Sequence, residues 1–91
     1  MLEETDGNSV KGFFYLGVAL YKMRYYVCAI KAYHKSLDLL LPDTDAQTEY
    51  NLGLGYFKME QYTIAVICFK DCIEKDPKHQ YAYNNLCFLY N

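Results

Sequence analysis

Two stretches of this chain repeat each other 36 residues apart, and few folds accommodate such a period. A third start follows at Leu86-Cys87, 34 residues after the second. A repeat of this length indicates a stack of similar units, each burying its apolar face against the next. The matching segments are Leu16-Gly17 and Leu52-Gly53, Tyr21-Lys22-Met23 and Phe57-Lys58-Met59, Ala29-Ile30 and Ala65-Val66, and Tyr33 and Phe69.

Each unit divides into predicted helices. In the first unit, apolar residues recur at helical spacing until a break at Met23-Arg24-Tyr25, and a second helical pattern runs from Tyr26 until Pro42 ends it. The second unit opens with a predicted capping box between Thr44 and Gln47. Three more helices are predicted, running to about Lys58, from about Gln61 to Asp76, and roughly from Gln80 to Tyr90. The sequence predicts an all-α fold of about five helices, and the short connections favour antiparallel neighbours.

Small residues recur at matched places in the two units. Gly17 and Ala29 are predicted to lie where the first two helices cross, as are Gly53 and Ala65 in the second pair. A Gly inside a helix costs about 1 kcal/mol relative to Ala, so a repeated Gly implies a close contact that offsets the loss. Two aromatic residues are predicted to fill the space towards the next helix: Tyr33 and Phe69.

This pattern resembles the tetratricopeptide repeat, whose motif reads W-x2-L-G-x2-Y, then A-x3-F, then P. The resemblance covers about residues 10 to 91 and implies an α-solenoid, a right-handed superhelix of antiparallel helix pairs. The first unit supplies Phe13, Leu16, Gly17, Leu20, Ala29, Tyr33 and Pro42; the second supplies Glu49, Leu52, Gly53, Tyr56, Ala65, Phe69 and Pro77; the third supplies Tyr83, Leu86, Cys87 and Tyr90.

The resemblance also gives a domain division, with a polar segment over 1–9 and a repeat domain over 10–91. The repeats span about 10–43, 46–79 and 80–91, the last being partial. Three features depart from the motif: Glu49 replaces an aromatic residue, Cys87 replaces Gly, and the linker after the first unit carries an extra Leu in Leu39-Leu40-Leu41.

The resemblance implies that the first helix of each pair lines a concave groove that binds a peptide or a helix of a partner protein. Aromatic side chains there would supply contact area, and amides would bond a ligand backbone. The predicted groove residues are Lys11, Phe14, Tyr15, Val18, Tyr21 and Lys22, then Gln47, Tyr50, Asn51, Leu54, Phe57 and Lys58, then Tyr81, Asn84, Asn85 and Phe88.

Asn51 and Asn85 occupy the same repeat position, where each amide could clamp a peptide group of the ligand or simply face solvent. A related subfamily holds acidic chaperone tails with a carboxylate clamp of Lys, Asn and Arg. The matching positions here hold Phe14, Val18, Asn51, Tyr81 and Asn85. Only Asn51 fits, so binding of that kind is not expected, because the cations that would neutralise a carboxylate are missing.

Composition excludes several other functions. The formal net charge is −2, which gives no basic footprint for nucleic acid or an anionic membrane. The acidic, polar start and the absence of a long apolar run predict a cytoplasmic protein. Neither His34 nor His79 belongs to a Ser-His-Asp or Cys-His arrangement with a spacing typical of catalysis, so we expect no enzyme and no cofactor. The acidic residues Asp43, Asp45 and Glu49 lack the order of a calcium loop and are assigned to helix capping and the helix dipole.

The four cysteines are interpreted as reduced, buried thiols, since helical periodicity argues against a disulfide scaffold. Cys68 and Cys72 lie four residues apart and could share a metal, but no second ligand pair lies nearby, so packing is favoured and no metal is predicted. Lys22 and Lys58 recur at the groove end, where they would either meet acidic partner residues or offset the helix dipole; the second reading is favoured.

The last predicted helix is apolar on more than one side, which gives a second functional hypothesis. Terminal repeats normally carry a polar outer face. The chain is therefore either a piece of a larger helical scaffold or self-associates through this helix. The residues predicted for self-association are Leu86, Leu89 and Tyr90.

Overall fold

The structure, a computed structural model, describes residues 8–40 and 45–90 of the chain. It contains helices α1 (Asn8–Lys22), α2 (Tyr26–Leu40), α3 (Ala46–Lys58), α4 (Tyr62–Lys75) and α5 (Gln80–Tyr90). α1 packs on α2 and α3 on α4, while the contacts of α2 with α3 and of α4 with α5 join the pairs. The predicted all-α architecture of five helices in adjacent pairs is confirmed.

The helix bounds agree with the sequence prediction to within a few residues. α1 already begins at Asn8, whereas most of the predicted polar segment 1–9 lies outside the described residues. The predicted stop at Pro42 and the acidic residue Asp43 also lie outside them.

The predicted capping box at the start of α3 is wrong in register. The N-cap is Asp45, whose carboxylate accepts hydrogen bonds from the Thr48 amide at 3.0 Å and from the Thr48 hydroxyl at 2.7 Å. An Asp carboxylate satisfies a free amide as well as a Thr hydroxyl does and adds favourable charge at the helix N-terminus. Thr44 lies outside the described residues, and the Gln47 side chain donates to Asn51 instead of reaching back to a cap.

The turns within the two helix pairs have the same backbone geometry. Arg24 and Glu60, which are 36 residues apart, both adopt positive φ values, 70° and 62°. In the second turn, the amide of Gln61 donates to the Tyr56 carbonyl at 2.9 Å and the amide of Glu60 donates to the Phe57 carbonyl at 2.9 Å. This paired arrangement is the Schellman motif, in which a left-handed residue lets the last helical carbonyls find partners.

The repeated glycines mark close helix contacts, as predicted. A Cβ atom built on Gly17 would lie 2.5 Å from the ring of Tyr33, and one on Gly53 would lie 2.7 Å from the ring of Phe69. Both rings are almost fully buried. The rings therefore occupy the space that a side chain at either glycine would need.

Two apolar clusters form the core, and each spans a helix pair and the next unit. The first contains Ala29, Tyr33, Leu37, Leu52 and Cys68; the second contains Ala65, Phe69, Cys72, Ala82 and Leu86. Each unit thus completes its core with residues of its neighbour, which is how repeat stacks bury apolar surface. The resulting molecule measures 48 × 27 × 17 Å.

Candidate peptide-binding groove

The helices α1, α3 and α5 lie side by side and form one surface. Between α1 and α3, a cavity of about 110 Å³ is lined by Val18, Tyr21, Lys22, Tyr33, Asn51 and Leu54. Between α3 and α5, the rings of Phe57 and Phe88 meet with centroids 5.9 Å apart, and those of Tyr50 and Tyr81 with centroids 6.3 Å apart. The structure therefore brings together predicted groove residues from all three helices.

A larger cavity, about 390 Å³, lies at one end of this surface. Three of its lining residues were predicted from the sequence, namely Lys11, Phe14 and Tyr15. Its other described lining residues, Val10, Ser36, Leu40, Asp45 and Thr48, were not predicted, because repeat register points only to the first helix of each pair. The extra Leu in the linker between the first two units was the one sequence feature near this cavity that departs from the repeat.

The predicted groove residues differ in exposure: some are half-buried and form the wall of the groove, and others are exposed and accessible to a ligand. Phe14, Val18, Tyr21, Tyr50, Leu54 and Phe57 are half-buried and pack against the core clusters. Tyr15, Tyr81 and Phe88 are 63%, 68% and 66% exposed. Lys11, Lys22, Gln47, Lys58 and Asn84 are exposed, and Asn51 and Asn85 are half-buried. A wall of packed aromatic rings with exposed rings and amides at its edge is suited to holding an apolar segment.

Asn51 lines the cavity between α1 and α3. Its side-chain oxygen accepts a hydrogen bond from Gln47 Nε2 at 3.0 Å. Burial raises the pKa of the neighbouring Tyr33 hydroxyl to about 12, and the Asn51 side chain opposes part of that rise. Since the ring of Tyr33 is 2% exposed, Asn51 supplies a polar neighbour for a hydroxyl at the edge of the core.

Asn85, at the equivalent position of the third unit, is used differently. Its Nδ2 donates to the Tyr81 carbonyl at 2.9 Å and to the Tyr50 hydroxyl at 3.3 Å. Both amide protons thus have partners within the protein, which leaves the side-chain oxygen as the group that can meet a ligand. Asn51 and Asn85 therefore do not present the same groups to a ligand, although they occupy the same repeat position.

The two histidines have structural partners. The Nδ1 atom of His79 accepts from the Ala82 amide at 3.2 Å, and its Nε2 lies 3.3 Å from Gln47 Oε1. Nδ1 acts here as an acceptor, so this geometry matches the neutral tautomer protonated on Nε2. His79 caps α5 and ties it to α3. His34 is exposed, and its Nε2 lies 2.9 Å from the Tyr56 hydroxyl.

The predicted self-association set needs correction. Leu86 is 7% exposed and belongs to the second core cluster, and Leu89 is half-buried against the same cluster. Tyr90 is 64% exposed and Tyr83 is 46% exposed, with Cys87 exposed between them. Residues 83, 87 and 90 fall on one helical face, so Tyr90 alone of the three predicted residues belongs to an exposed side of α5. The repeat register explains this, because Leu86 takes the place of the buried Leu52.

The prediction that all four cysteines are buried is also wrong for two of them. Cys28 and Cys87 are exposed, whereas Cys68 and Cys72 are buried. Burial raises the pKa of Cys68 to about 12 and that of Cys72 to about 11. Over residues 8–40 and 45–90, no three His, Cys, Asp or Glu side chains gather closely enough to hold a metal ion.

A comparison with models of known protein families found no match, and no curated protein is similar to this chain at a significant level. Among the helices of residues 8–40 and 45–90, none is long and apolar enough to cross a membrane. Function is therefore inferred from the geometry of the groove and of the exposed faces.

Proposed function

We propose that residues 10–91 are tetratricopeptide-type repeats and that their groove binds a peptide or a helix of a partner protein, without catalysis. The proposal is supported by the surface that α1, α3 and α5 form side by side. On this surface, predicted groove residues lie around two cavities and a row of aromatic rings. Surfaces of this kind bind through a few aromatic anchors surrounded by weaker contacts.

The cavity of about 390 Å³ would receive one bulky apolar side chain of the ligand, because its described lining is mainly apolar. Its polar groups are largely occupied: the Ser36 hydroxyl donates to the Val10 carbonyl at 2.9 Å, and Asp45 caps α3. Further along the groove, Asn51 would contact the ligand backbone, and Tyr81 and Phe88 would stack on its side chains. The ligand expected is thus an apolar or aromatic segment with an accessible backbone.

A test begins with selection of binding peptides from a random library and measurement of their affinity by fluorescence anisotropy. Tyr81→Ala should weaken binding at least tenfold, which corresponds to about 1.4 kcal/mol. Tyr83→Ala is the matched control, since it removes the same side chain from the opposite face of the same helix. Equal losses for both variants, or none for either, would rule out the groove.

A second candidate function is assembly, in which the chain self-associates through α5. The observation that favours it is that Tyr83, Cys87 and Tyr90 are exposed on one face of a helix without Asp, Glu, Lys or Arg, although the Lys70 ammonium of α4 lies 5.7 Å from the centre of the Tyr90 ring. Exposed apolar faces of this kind commonly mark contacts between proteins. Solution mass measured over a concentration series separates the two functions, because the groove alone requires only a monomer.

A further inference from the structure

The cavity of about 110 Å³ between α1 and α3 differs in chemistry from the larger cavity of the groove. Its lining combines the apolar side chains of Val18 and Leu54 with residues that carry four polar groups. These groups are the Lys22 ammonium, the Asn51 amide and the hydroxyls of Tyr21 and Tyr33. An ammonium only donates hydrogen bonds, whereas an amide or a hydroxyl both donates and accepts. The lining therefore contains no carboxylate and is rich in donors.

The amide oxygen of Asn51, the strongest acceptor in this lining, is already engaged. It accepts from Gln47 Nε2 at 3.0 Å, so the amide nitrogen of Asn51 is the group that remains for other partners. Burial raises the pKa of the Tyr21 hydroxyl, and it raises that of Tyr33 to about 12, so both hydroxyls keep their protons at neutral pH. The hydrogen bonds that the cavity can still make are therefore mainly those of a donor.

The Lys22 ammonium is not needed to cap its own helix. The last carbonyls of α1 accept from amides of the following turn, in the pairs Ala19 with Met23, Leu20 with Tyr25, and Tyr21 with Arg24. Lys22 is exposed and lines the cavity beside Asn51. The sequence alone favoured the helix dipole as the role of this lysine, but its place in the cavity lining makes its charge available to a ligand.

The exposed charges of the three groove helices all have the same sign. On α1, α3 and α5 they are Lys11, Lys22 and Lys58. The one acidic residue of these helices, Glu49, is only 7% exposed. The whole chain has a formal net charge of −2, so the groove is locally positive on an acidic protein. A surface of one sign attracts ligands of the opposite sign.

We propose that the cavity between α1 and α3 binds the side-chain carboxylate of an acidic residue in the partner segment. This inference rests on the groove binding proposed above and names the charged residue that the ligand must contain. The Lys22 ammonium and the Tyr21 hydroxyl would donate to the carboxylate, while Asn51 contacts the backbone of the same ligand residue. Hydrogen bonds to an ionised group are roughly twice as strong as those between neutral groups.

The position of the cavity favours a side chain over a chain terminus as the source of the carboxylate. The groove continues past this cavity to the exposed rings of Tyr81 and Phe88, so a ligand that reaches them passes over the cavity without ending there. The larger cavity is less suited to an acidic residue, because the Asp45 carboxylate is part of its lining. The apolar anchor and the acidic residue of the ligand are thus assigned to different cavities.

The distance between the cavities sets the spacing of these two ligand residues. Phe14 lines the larger cavity and Tyr21 the smaller, and they are about two helical turns apart on α1, which is roughly 11 Å. An extended chain covers that distance in about three residues. An extended ligand should therefore carry a bulky apolar residue and an acidic residue about three positions apart.

The equivalent place between α3 and α5 lacks these donors, although Lys58 repeats Lys22. Both lining tyrosines are replaced by phenylalanines there. The ring of Phe88 packs on that of Phe57 with centroids 5.9 Å apart, and both protons of Asn85 Nδ2 have partners within the protein. Lys58 thus offers a matched comparison, since it has the same side chain at the same helix end without the other donors.

The test uses a synthetic random library of acetylated and amidated peptides, in which side chains supply the only carboxylates. Peptides that bind the full chain are measured by fluorescence anisotropy, and those weakened by Tyr81→Ala are kept as groove ligands. They should contain Asp or Glu, and replacing that residue with Asn or Gln should weaken binding about tenfold or more, because a charged hydrogen-bonding partner is lost.

Lys22→Met should weaken the acidic peptide by the same factor and leave the affinity of its amide counterpart nearly unchanged. Lys58→Met should change the two affinities by equal factors, because no coupling to the ligand carboxylate is expected there. Asn51→Asp keeps an oxygen for Gln47 and adds a negative charge to the cavity, so it should weaken the acidic peptide more than its amide counterpart. Raising the salt concentration from about 0.1 M to about 1 M should weaken the acidic peptide in the wild type more than in Lys22→Met.

The inference and the proposed function fail in different ways. Groove ligands without an acidic residue, or an acidic residue whose replacement costs the same in wild type and in Lys22→Met, would overturn the carboxylate site and leave peptide binding in place. A parallel library with free carboxyl termini that alone yields groove ligands would assign the cavity to a chain terminus and overturn the side-chain assignment. A complete lack of peptides that depend on Tyr81 would remove both proposals. Circular dichroism of each variant should match the wild type, which excludes loss of folding as the cause of weaker binding.

Discussion

The first and second helix pairs carry similar residues at matched positions, yet they bury them to different extents. Leu16 is 47% exposed, whereas Leu52 is 3% exposed and Leu86, in the third unit, is 7% exposed. α3 packs on α2 and α5 packs on α4, while no described helix precedes α1. The residue is the same in all three units, so the adjoining helix decides whether it contributes to the core.

The pairs also differ in where they place a hydroxyl group. The first pair has Phe14 on the groove side and Tyr33 in the core, whereas the second pair has Tyr50 on the groove side and Phe69 in the core. The Tyr33 hydroxyl has Asn51 as a neighbour, and the Tyr50 hydroxyl accepts from Asn85. A hydroxyl at the edge of each core therefore meets an asparagine of the next unit, although its position within the pair has changed.

The largest expected difference between the pairs concerns the matched leucines. Leu52→Ala should lower the free energy of unfolding by about 2–5 kcal/mol, because it leaves a cavity in the first core cluster. Leu16→Ala should change it by no more than about 0.5 kcal/mol in the monomer, since that side chain is half exposed. Urea denaturation at low protein concentration measures both. Similar losses would mean that Leu16 is covered.

Substitution of the matched glycines should affect the two helix pairs equally, in contrast to substitution of the matched leucines. Gly17→Ala and Gly53→Ala should each push on a buried ring, at a cost of about 1–3 kcal/mol. Alanine has a higher helix propensity than glycine by about 1 kcal/mol, which offsets part of this cost. The free energy of unfolding is therefore expected to fall by up to about 2 kcal/mol. Gly12→Ala is the control and should be stabilising, because no atom lies within 4 Å of its added Cβ. A stabilising Gly53→Ala would contradict the packing.

The second helix pair departs most from the first at Glu49, whose counterpart in the first pair is Phe13. Burial raises the pKa of Glu49, the carboxylates of Asp71 and Asp45 add to the rise, and Lys75 opposes it. The folded state therefore binds this proton more tightly than the unfolded state. The stability gained is present below pH 4.5, the unfolded value, and is lost as the pH rises through the folded pKa.

Glu49→Gln should accordingly stabilise the protein at pH 7, by about 0.5–2 kcal/mol, since it removes a buried charge. The gain over the wild type should disappear below pH 4.5. Thermal melts from pH 3 to pH 8, about the range in which carboxylates titrate, provide the measurement. A gain that persists at low pH would assign the effect to packing.

The smallest expected effect concerns the two turns, which should respond alike. Arg24→Gly and Glu60→Gly remove side chains from left-handed positions, where a non-glycine residue costs about 1–2 kcal/mol. The greater flexibility of glycine in the unfolded chain offsets about 0.5–1 kcal/mol of that, so each variant should gain about 0.5–1 kcal/mol. Met59→Gly, one residue earlier at a negative φ, should lose stability. Opposite signs for Arg24→Gly and Glu60→Gly would show that the turns are not equivalent.

The repeat predicted the helices, their pairing and the glycine contacts because these depend on periodicity and residue size. It did not predict the cap at Asp45, since several residues near that helix start can cap and only the backbone decides between them. It did not predict the exposure of Cys28 and Cys87, because a small apolar residue is compatible with either environment. Leu86 was assigned to the wrong side of α5, although its match to Leu52 in the repeat already indicated the core.

The groove was only partly predictable for a related reason. Register identified the residues on α1, α3 and α5, but the cavity of about 390 Å³ is also bounded by Ser36 and Leu40 of α2 and by the start of α3. The different hydrogen bonds of Asn51 and Asn85 depend on which neighbouring aromatic residue is Tyr and which is Phe. The repeat pattern requires only an aromatic residue at these positions, so it does not predict where the hydroxyl lies.

The packing of each helix on its neighbours in sequence has a consequence for how the chain folds. Contacts between helices fall mainly between helices adjacent in sequence, as in helical bundles of low contact order, so folding should be fast, in the range of about microseconds to milliseconds. Opening should begin at the ends, where α5 is held chiefly by α4 and by the His79 cap. Amide hydrogen exchange should accordingly show the slowest protons in α3 and progressively faster ones toward α5, a gradient that follows position in the stack rather than helix length.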